Sequence, residues 1–198
     1  SGVVPMIVYG AGVGNMFVGV PFHFNWDLTS YYTGSFITLF NPFAVLCGVL
    51  SLAMSLYMGA AMLVGRAEGA VQQRAKSVAT VAVILAVVVF SVCGVWVSQM
   101  QGYRLVHSVS PALAQTPLQQ QVVELAAGAW LGNFQSYPIL WIVPALGYVG
   151  MILGLLSLRA GRSTLAWWLG AIAWIGVIGT AGTALFPFLM PSSSMPNQ

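Results

Sequence analysis

The sequence predicts an all-α protein, a polytopic integral membrane helix bundle with about five transmembrane helices. Three observations predict it. Charge is scarce: six Lys or Arg and three Asp or Glu among 198 residues, or 5%, where soluble domains carry roughly 25%. Hydrophobic residues make up 59% and the mean hydropathy is +0.88. Five apolar stretches without Asp, Glu, Lys, Arg or His approach the length of about 20 residues that a helix needs to cross a bilayer core. This composition excludes an ordinary water-soluble domain and a disordered chain, which needs high charge and low hydrophobicity. A formal charge of +3 makes no phosphate-tracking stripe, so no nucleic acid is expected as a partner.

The first stretch runs from Val3 to Val20 and is the shortest. The second, Pro42 to Gly65, begins with Asn41 as N-cap and Pro42 at the first helical position, where its missing N–H is not needed. The third runs from Ser77 to Ser98. The fourth, Pro138 to Leu158, has Pro138 in the same starting role. The fifth runs from Leu165 to Phe188, with Ser163 or Thr164 as its cap. Pro5, Pro144 and Pro187 fall in or near spans and suggest bends. The long connections differ from plain solvent loops. Residues 21–41 are rich in aromatics (Phe22, Phe24, Trp26, Tyr31, Tyr32, Phe36, Phe40), as at a headgroup layer. In the second connection, Thr116 to Gln119 reads as a capping box. Val122, Leu125 and Ala129 follow at helical spacing, which predicts a short helix lying on the membrane or on a partner. No repeat breaks the chain, so residues 1–198 read as a single membrane domain. The start at Ser1, without an initiator Met or signal peptide, reads as part of a longer chain.

Five of the six basic residues lie in two connections: Arg66, Arg74 and Lys76 in one, Arg159 and Arg162 in the other. The positive-inside rule places loops 66–76 and 159–164 in the cytoplasm and the two long connections outside, with Arg104.

No chemistry-bearing constellation emerges. Gly10, Gly12 and Gly14 lack the strand and acidic residue of a dinucleotide fingerprint. They read as close helix packing, as do Gly176, Gly179 and Gly182. His23 and His107 fall in external connections, so the spans offer no histidine pair for haem. Met54, Met58 and Met62 share one helix face. Methionine can ligate haem iron, but packing is the preferred reading. Cys47 and Cys93 lie at matched depths and read as free packing thiols. Arg104, Asp27 and Glu124 are the external charges, and contacts among them compete with plain solvation. The spans lack the ionisable groups that mark proton-coupled transport. No catalytic, cofactor-binding or metal residue is assigned.

Several strings carry a family resemblance: Gly14-Asn15 with Gly19-Val20-Pro21-Phe22, Tyr31-Tyr32-Thr33-Gly34-Ser35-Phe36, Leu39-Phe40-Asn41-Pro42-Phe43, Gly94-Val95-Trp96-Val97, Gly128-Ala129-Trp130-Leu131, Pro138-Ile139-Leu140-Trp141, Pro144-Ala145-Leu146-Gly147, Ala181-Gly182 and the terminal Phe186–Met195. In order and spacing the chain resembles subunit II of the cytochrome bd quinol oxidases, including the cyanide-insensitive branch. The resemblance implies a subunit of about nine helices, of which this chain carries the middle and later part and lacks N-terminal and C-terminal helices. It implies a bacterial inner-membrane complex in which subunit I holds haem b and haem d and the quinol-oxidising loop. Subunit II supports it and contributes to proton or quinone access, so quinol, membrane lipid and a small accessory subunit join the expected partners. Oxidation of quinol and reduction of oxygen to water would belong to the complex. The acidic residues linked to proton delivery in that family have no counterpart here. A small-molecule transporter or permease is the alternative reading, and a purely structural scaffold a third.

Overall fold

The computed structural model describes residues 2–107 and 122–196. Helix α1 (Val3–Val18) leads into a small antiparallel hairpin of β1 (Phe22–Phe24) and β2 (Ser30–Tyr32). A 3-10 turn, Ile37–Phe40, then feeds α2 (Pro42–Val64), and a short turn leads to α3 (Gly69–Gln99). Strands β3 (Gln101–His107) and β4 (Val122–Ala127) form a second antiparallel hairpin. A 3-10 turn, the short helix α4 (Gly132–Ser136) and a further 3-10 turn, Pro138–Trp141, precede α5 (Ile142–Arg159) and α6 (Ser163–Leu185).

Among the described residues, four helical segments are long and apolar enough to cross a membrane: Pro42–Val64, Gly69–Gln99, Pro138–Arg159 and Ser163–Leu185. The first predicted span is a 16-residue helix, about 24 Å long and short of a core of about 30 Å. It ends two residues early because Gly19 turns the chain out at φ 84°, a conformation glycine adopts without steric cost. A Cβ there would also lie 2.5 Å from the Tyr103 hydroxyl. Helix α3 has 31 residues, about 46 Å, so its first turns, with Arg74 and Lys76, extend past the apolar core.

Asn41 caps α2 as expected, its side chain accepting from the Ala44 N–H at 2.9 Å with Pro42 in the first turn. The fifth span departs from expectation. Arg162 occupies the N-cap of α6, no side chain caps it, and Ser163 is already helical. The Ser163 side chain is instead packed toward α2, where a Cβ on Gly65 would lie 2.5 Å from its Oγ. Pro5 and Pro144 sit in the first turns of α1 and α5, where backbone N–H groups lack helical partners in any case. Pro187 lies beyond α6.

The larger correction concerns the second connection. Val122–Ala127 is a strand, not a helix, and pairs with Gln101–His107. The β-branched pair Val122-Val123 suits a pleated ladder, and an antiparallel partner supplies backbone bonds that an isolated short helix lacks. Helical turns resume only at Ala129–Leu131 and Gly132–Ser136. The Thr116–Gln119 capping box lies outside the described residues.

Small residues set the helix packing. A Cβ on Gly10 would come within 2.7 Å of Gly48 Cα, and one on Gly14 within 2.6 Å of Ala44 Cα, so α1 lies almost backbone to backbone on α2. Between α5 and α6, a Cβ on Gly150 would lie 2.7 Å from the Ala173 backbone nitrogen, and one on Gly176 would run into the Gly147 backbone. Lipid tails give no hydrophobic drive for helices to associate, so such close approach supplies it through dispersion. Gly12 and Gly182 have nothing within 4 Å of their added Cβ. They take no part in these contacts, unlike their neighbours in the same strings.

Candidate functional site

The described polar and aromatic interactions concentrate at the end of the bundle where α2 begins and α3 ends. Asn15 is buried in an otherwise apolar helix. Its Nδ2 donates to Ala11 O at 2.8 Å and Leu39 O at 2.6 Å, and its Oδ1 accepts from Asn41 Nδ2 at 2.9 Å. Asn41 at the same time caps α2. One amide pair thus ties α1, the turn before α2 and the first turn of α2 together, with both side chains satisfied, as burial in lipid demands.

Above it lies an aromatic core. Trp130 is 1% exposed. It packs edge-on to Phe17 at 5.7 Å and to Phe188 at 6.3 Å, and tilted to Tyr103 at 5.9 Å. Phe17 continues to Phe43 and Phe43 to Trp96, each at 5.8 Å. Gly102 lies against the indole, where a Cβ would be 3.0 Å from the ring. The Trp130 indole N–H has no hydrogen-bond partner, and aromatic rings surround it. Burial pushes the Tyr103 phenol above its ordinary range. The C-terminal segment closes this end: Ser192 and Ser194 donate to Phe22 O, and Val20 pairs with Ser192. Asn133 donates to Thr183 O at 2.8 Å and Phe186 O at 2.6 Å, anchoring α4 on the end of α6.

The candidate residues from the sequence distribute as follows. The register of the second hairpin sets Arg104 opposite Glu124, a cross-strand pairing of opposite charge. Asp27 goes elsewhere: it accepts from the Thr29 hydroxyl at 2.6 Å and the Thr29 N–H at 3.2 Å, which hold its carboxyl below the usual range. His23 stacks on Tyr31 at 6.0 Å. Cys47 on α2 and Cys93 on α3 are free thiols.

Two of the three methionines on the predicted face are engaged in packing. Met54 is buried in the core, and Met58 packs against α6, its Sδ lying 2.5 Å from where a Gly170 Cβ would be. Met62, at the far end of the face, is exposed, and no histidine lies in a spanning helix. Among the described residues, no three His, Cys, Asp or Glu side chains group to hold a metal ion. Sequence reasoning singled out Asn15, Trp130 and Tyr57 only inside longer strings or not at all. A lone Asn in an apolar stretch was the available signal for the first. Tyr57, whose hydroxyl donates to Ala166 O at 2.8 Å, gave none.

These features define a multi-pass helical membrane protein whose helices pack through small residues and uncharged polar pairs. The family model for cytochrome bd terminal oxidase subunit II matches residues 1–196. The chain is 41% identical over 198 residues to the probable cytochrome oxidase subunit 2 of Haemophilus influenzae, covering 100% of this chain and 52% of that protein. It is 42% identical over 195 residues to cytochrome bd-I ubiquinol oxidase subunit 2 of Escherichia coli K12, covering 98% of this chain and 51% of the relative. The chain belongs to the cytochrome bd terminal oxidase subunit II family. It spans about half the length of the curated relatives it matches.

Proposed function

We propose that this chain forms a single membrane domain of the non-haem subunit of a bd-type quinol:oxygen oxidoreductase in the bacterial inner membrane. Its work there is to support the assembly and stability of subunit I. In this reading subunit I carries haem b and haem d, quinol is oxidised and oxygen is reduced to water by the complex, and a small accessory subunit completes it. The ubiquinol named for the Escherichia coli relative is the quinol class it favours. Loops 66–76 and 159–164 face the cytoplasm. The observation that supports a supporting role is the combination of family membership with spans held by backbone-close glycine contacts and uncharged polar pairs.

The test is co-expression of the complete subunit with subunit I. Complex yield on native gels is compared with oxygen consumption per haem. Gly176→Leu, which drives a side chain into the Gly147 backbone, is expected to lower yield more than turnover per assembled haem. Intact assembly with abolished turnover would refute the supporting role. So would a stoichiometric haem spectrum from the subunit expressed alone that is lost on mutating a methionine of α2.

A further inference from the structure

The opposite end of the bundle carries a surface that neither the aromatic core nor the oxidase reading uses. The α2–α3 and α5–α6 turns lie side by side there and bound a groove of about 290 Å³ lined by Ala61, Met62, Gly65, Arg66, Ser163, Thr164 and Trp167. Its lining mixes the apolar side chains of Met62 and Trp167 with the polar residues Arg66, Ser163 and Thr164. The two connections and the adjoining helix turns carry five cations, Arg66, Arg74, Lys76, Arg159 and Arg162, against one acid, Glu68. Trp167 and Trp168 stand edge to face at 5.1 Å beside it, and Trp168 is exposed. Indole rings favour the headgroup level of a bilayer.

We propose that this groove is a binding site for one anionic phospholipid, with the headgroup phosphate on Arg66 and the Ser163 and Thr164 hydroxyls and an acyl chain along Met62 and Trp167. Three features select a lipid over a soluble anion. The groove opens at the ends of two spanning helices. Its lining is part polar and part apolar. Its surroundings carry a positive excess of the kind that attracts acidic headgroups. An ammonium-bearing zwitterionic headgroup would bring a cation among these five and is disfavoured by the same charge balance. The inference depends on the membrane placement of the helices and is independent of the oxidase activity.

The experiment uses the full-length subunit in its purified complex, delipidated in neutral detergent. Native mass spectrometry and thermal unfolding then follow titration with phosphatidylglycerol, phosphatidylcholine or inorganic phosphate. Phosphatidylglycerol is expected to remain bound and raise the unfolding temperature, with phosphatidylcholine and inorganic phosphate having little effect. Arg66→Gln should weaken phosphatidylglycerol binding about fivefold, the effect of one cation near an acidic headgroup. Arg66→Lys should retain most of it, and Arg74→Gln, which is outside the groove, should weaken it less than Arg66→Gln. Ser163→Ala with Thr164→Val should weaken it further without altering charge. Equal protection by inorganic phosphate would show a soluble-anion site and overturn the proposal. Phosphatidylglycerol binding unchanged in Arg66→Gln, or lost equally in Arg74→Gln, would overturn it as well.

Discussion

Replacing Gly176 with alanine tests whether backbone proximity holds α5 to α6. The added Cβ points into the backbone of α5, 2.7 Å from Gly147 Cα and 2.9 Å from Leu146 C. Carbon atoms at rest lie about 3.5–4.0 Å apart, so the helices must part by about 1 Å at this point. No flexible side chain end can yield, because every near atom is main chain. Parting would also loosen the Gly150–Ala173 approach about one turn away, where an added Cβ would lie equally close to main chain. Overpacking of this kind costs about 1–3 kcal/mol. Alanine gains about 1 kcal/mol over glycine in helix propensity, and a control on the same helix removes that term: Gly182→Ala meets nothing within 4 Å. The difference between the two variants should therefore be about 1–3 kcal/mol, with Gly176→Ala the less stable. Thermal or denaturant unfolding of the full-length subunit in its complex measures it. Equal stability of the two variants would show that α5 and α6 do not meet along this face.

Asn15→Leu should destabilise the subunit by about 1–3 kcal/mol, because it leaves Leu39 O and the Asn41 amide without their present partner; Asn41→Ala should cost at least the roughly 1 kcal/mol of a lost N-cap, and unfolding midpoints of both variants check this. Tyr57→Phe removes the bond from α2 to Ala166 O on α6 and should cost about 0.6–1.7 kcal/mol, the range of hydrogen bonds between membrane helices; an unchanged midpoint would mean that the hydroxyl finds another partner. For orientation, single cysteines at Gly69 and Gln115 in a full-length, otherwise cysteine-free chain should differ towards an impermeant thiol reagent on whole cells, with Gln115 labelled and Gly69 protected; the reverse pattern would invert the topology.

The sequence by itself determined the spans, because the free energy of placing a residue in lipid is a property of that residue and sums along a stretch. The charge-free runs Pro42–Gly65, Ser77–Ser98, Pro138–Leu158 and Leu165–Phe188 therefore coincide with the four helical segments long and apolar enough to cross, whereas the shortest run, Val3–Val20, folds as a 16-residue helix. Local chemistry went as far as the Asn41-Pro42 start of α2, where donor and acceptor are three residues apart. The family was legible too, in ordered strings at the span edges. Tertiary structure decided whatever depends on partners distant in sequence. The strand Val122–Ala127 exists because Gln101–His107 lies beside it; its apolar residues alone fit helical spacing equally well. Of three glycines in each string, Gly10, Gly14 and Gly176 face a neighbouring backbone and Gly179 the Val143 side chain, while Gly12 and Gly182 meet nothing, and the direction is set by helix docking. Ser163 lost its expected capping role to a contact with the end of α2. The Asn15–Asn41 pair, 26 residues apart, and the aromatic core around Trp130 arise only when α1, α2, the second hairpin and the C-terminal segment converge. Each is a pairing free energy, and no single residue's preference contains it.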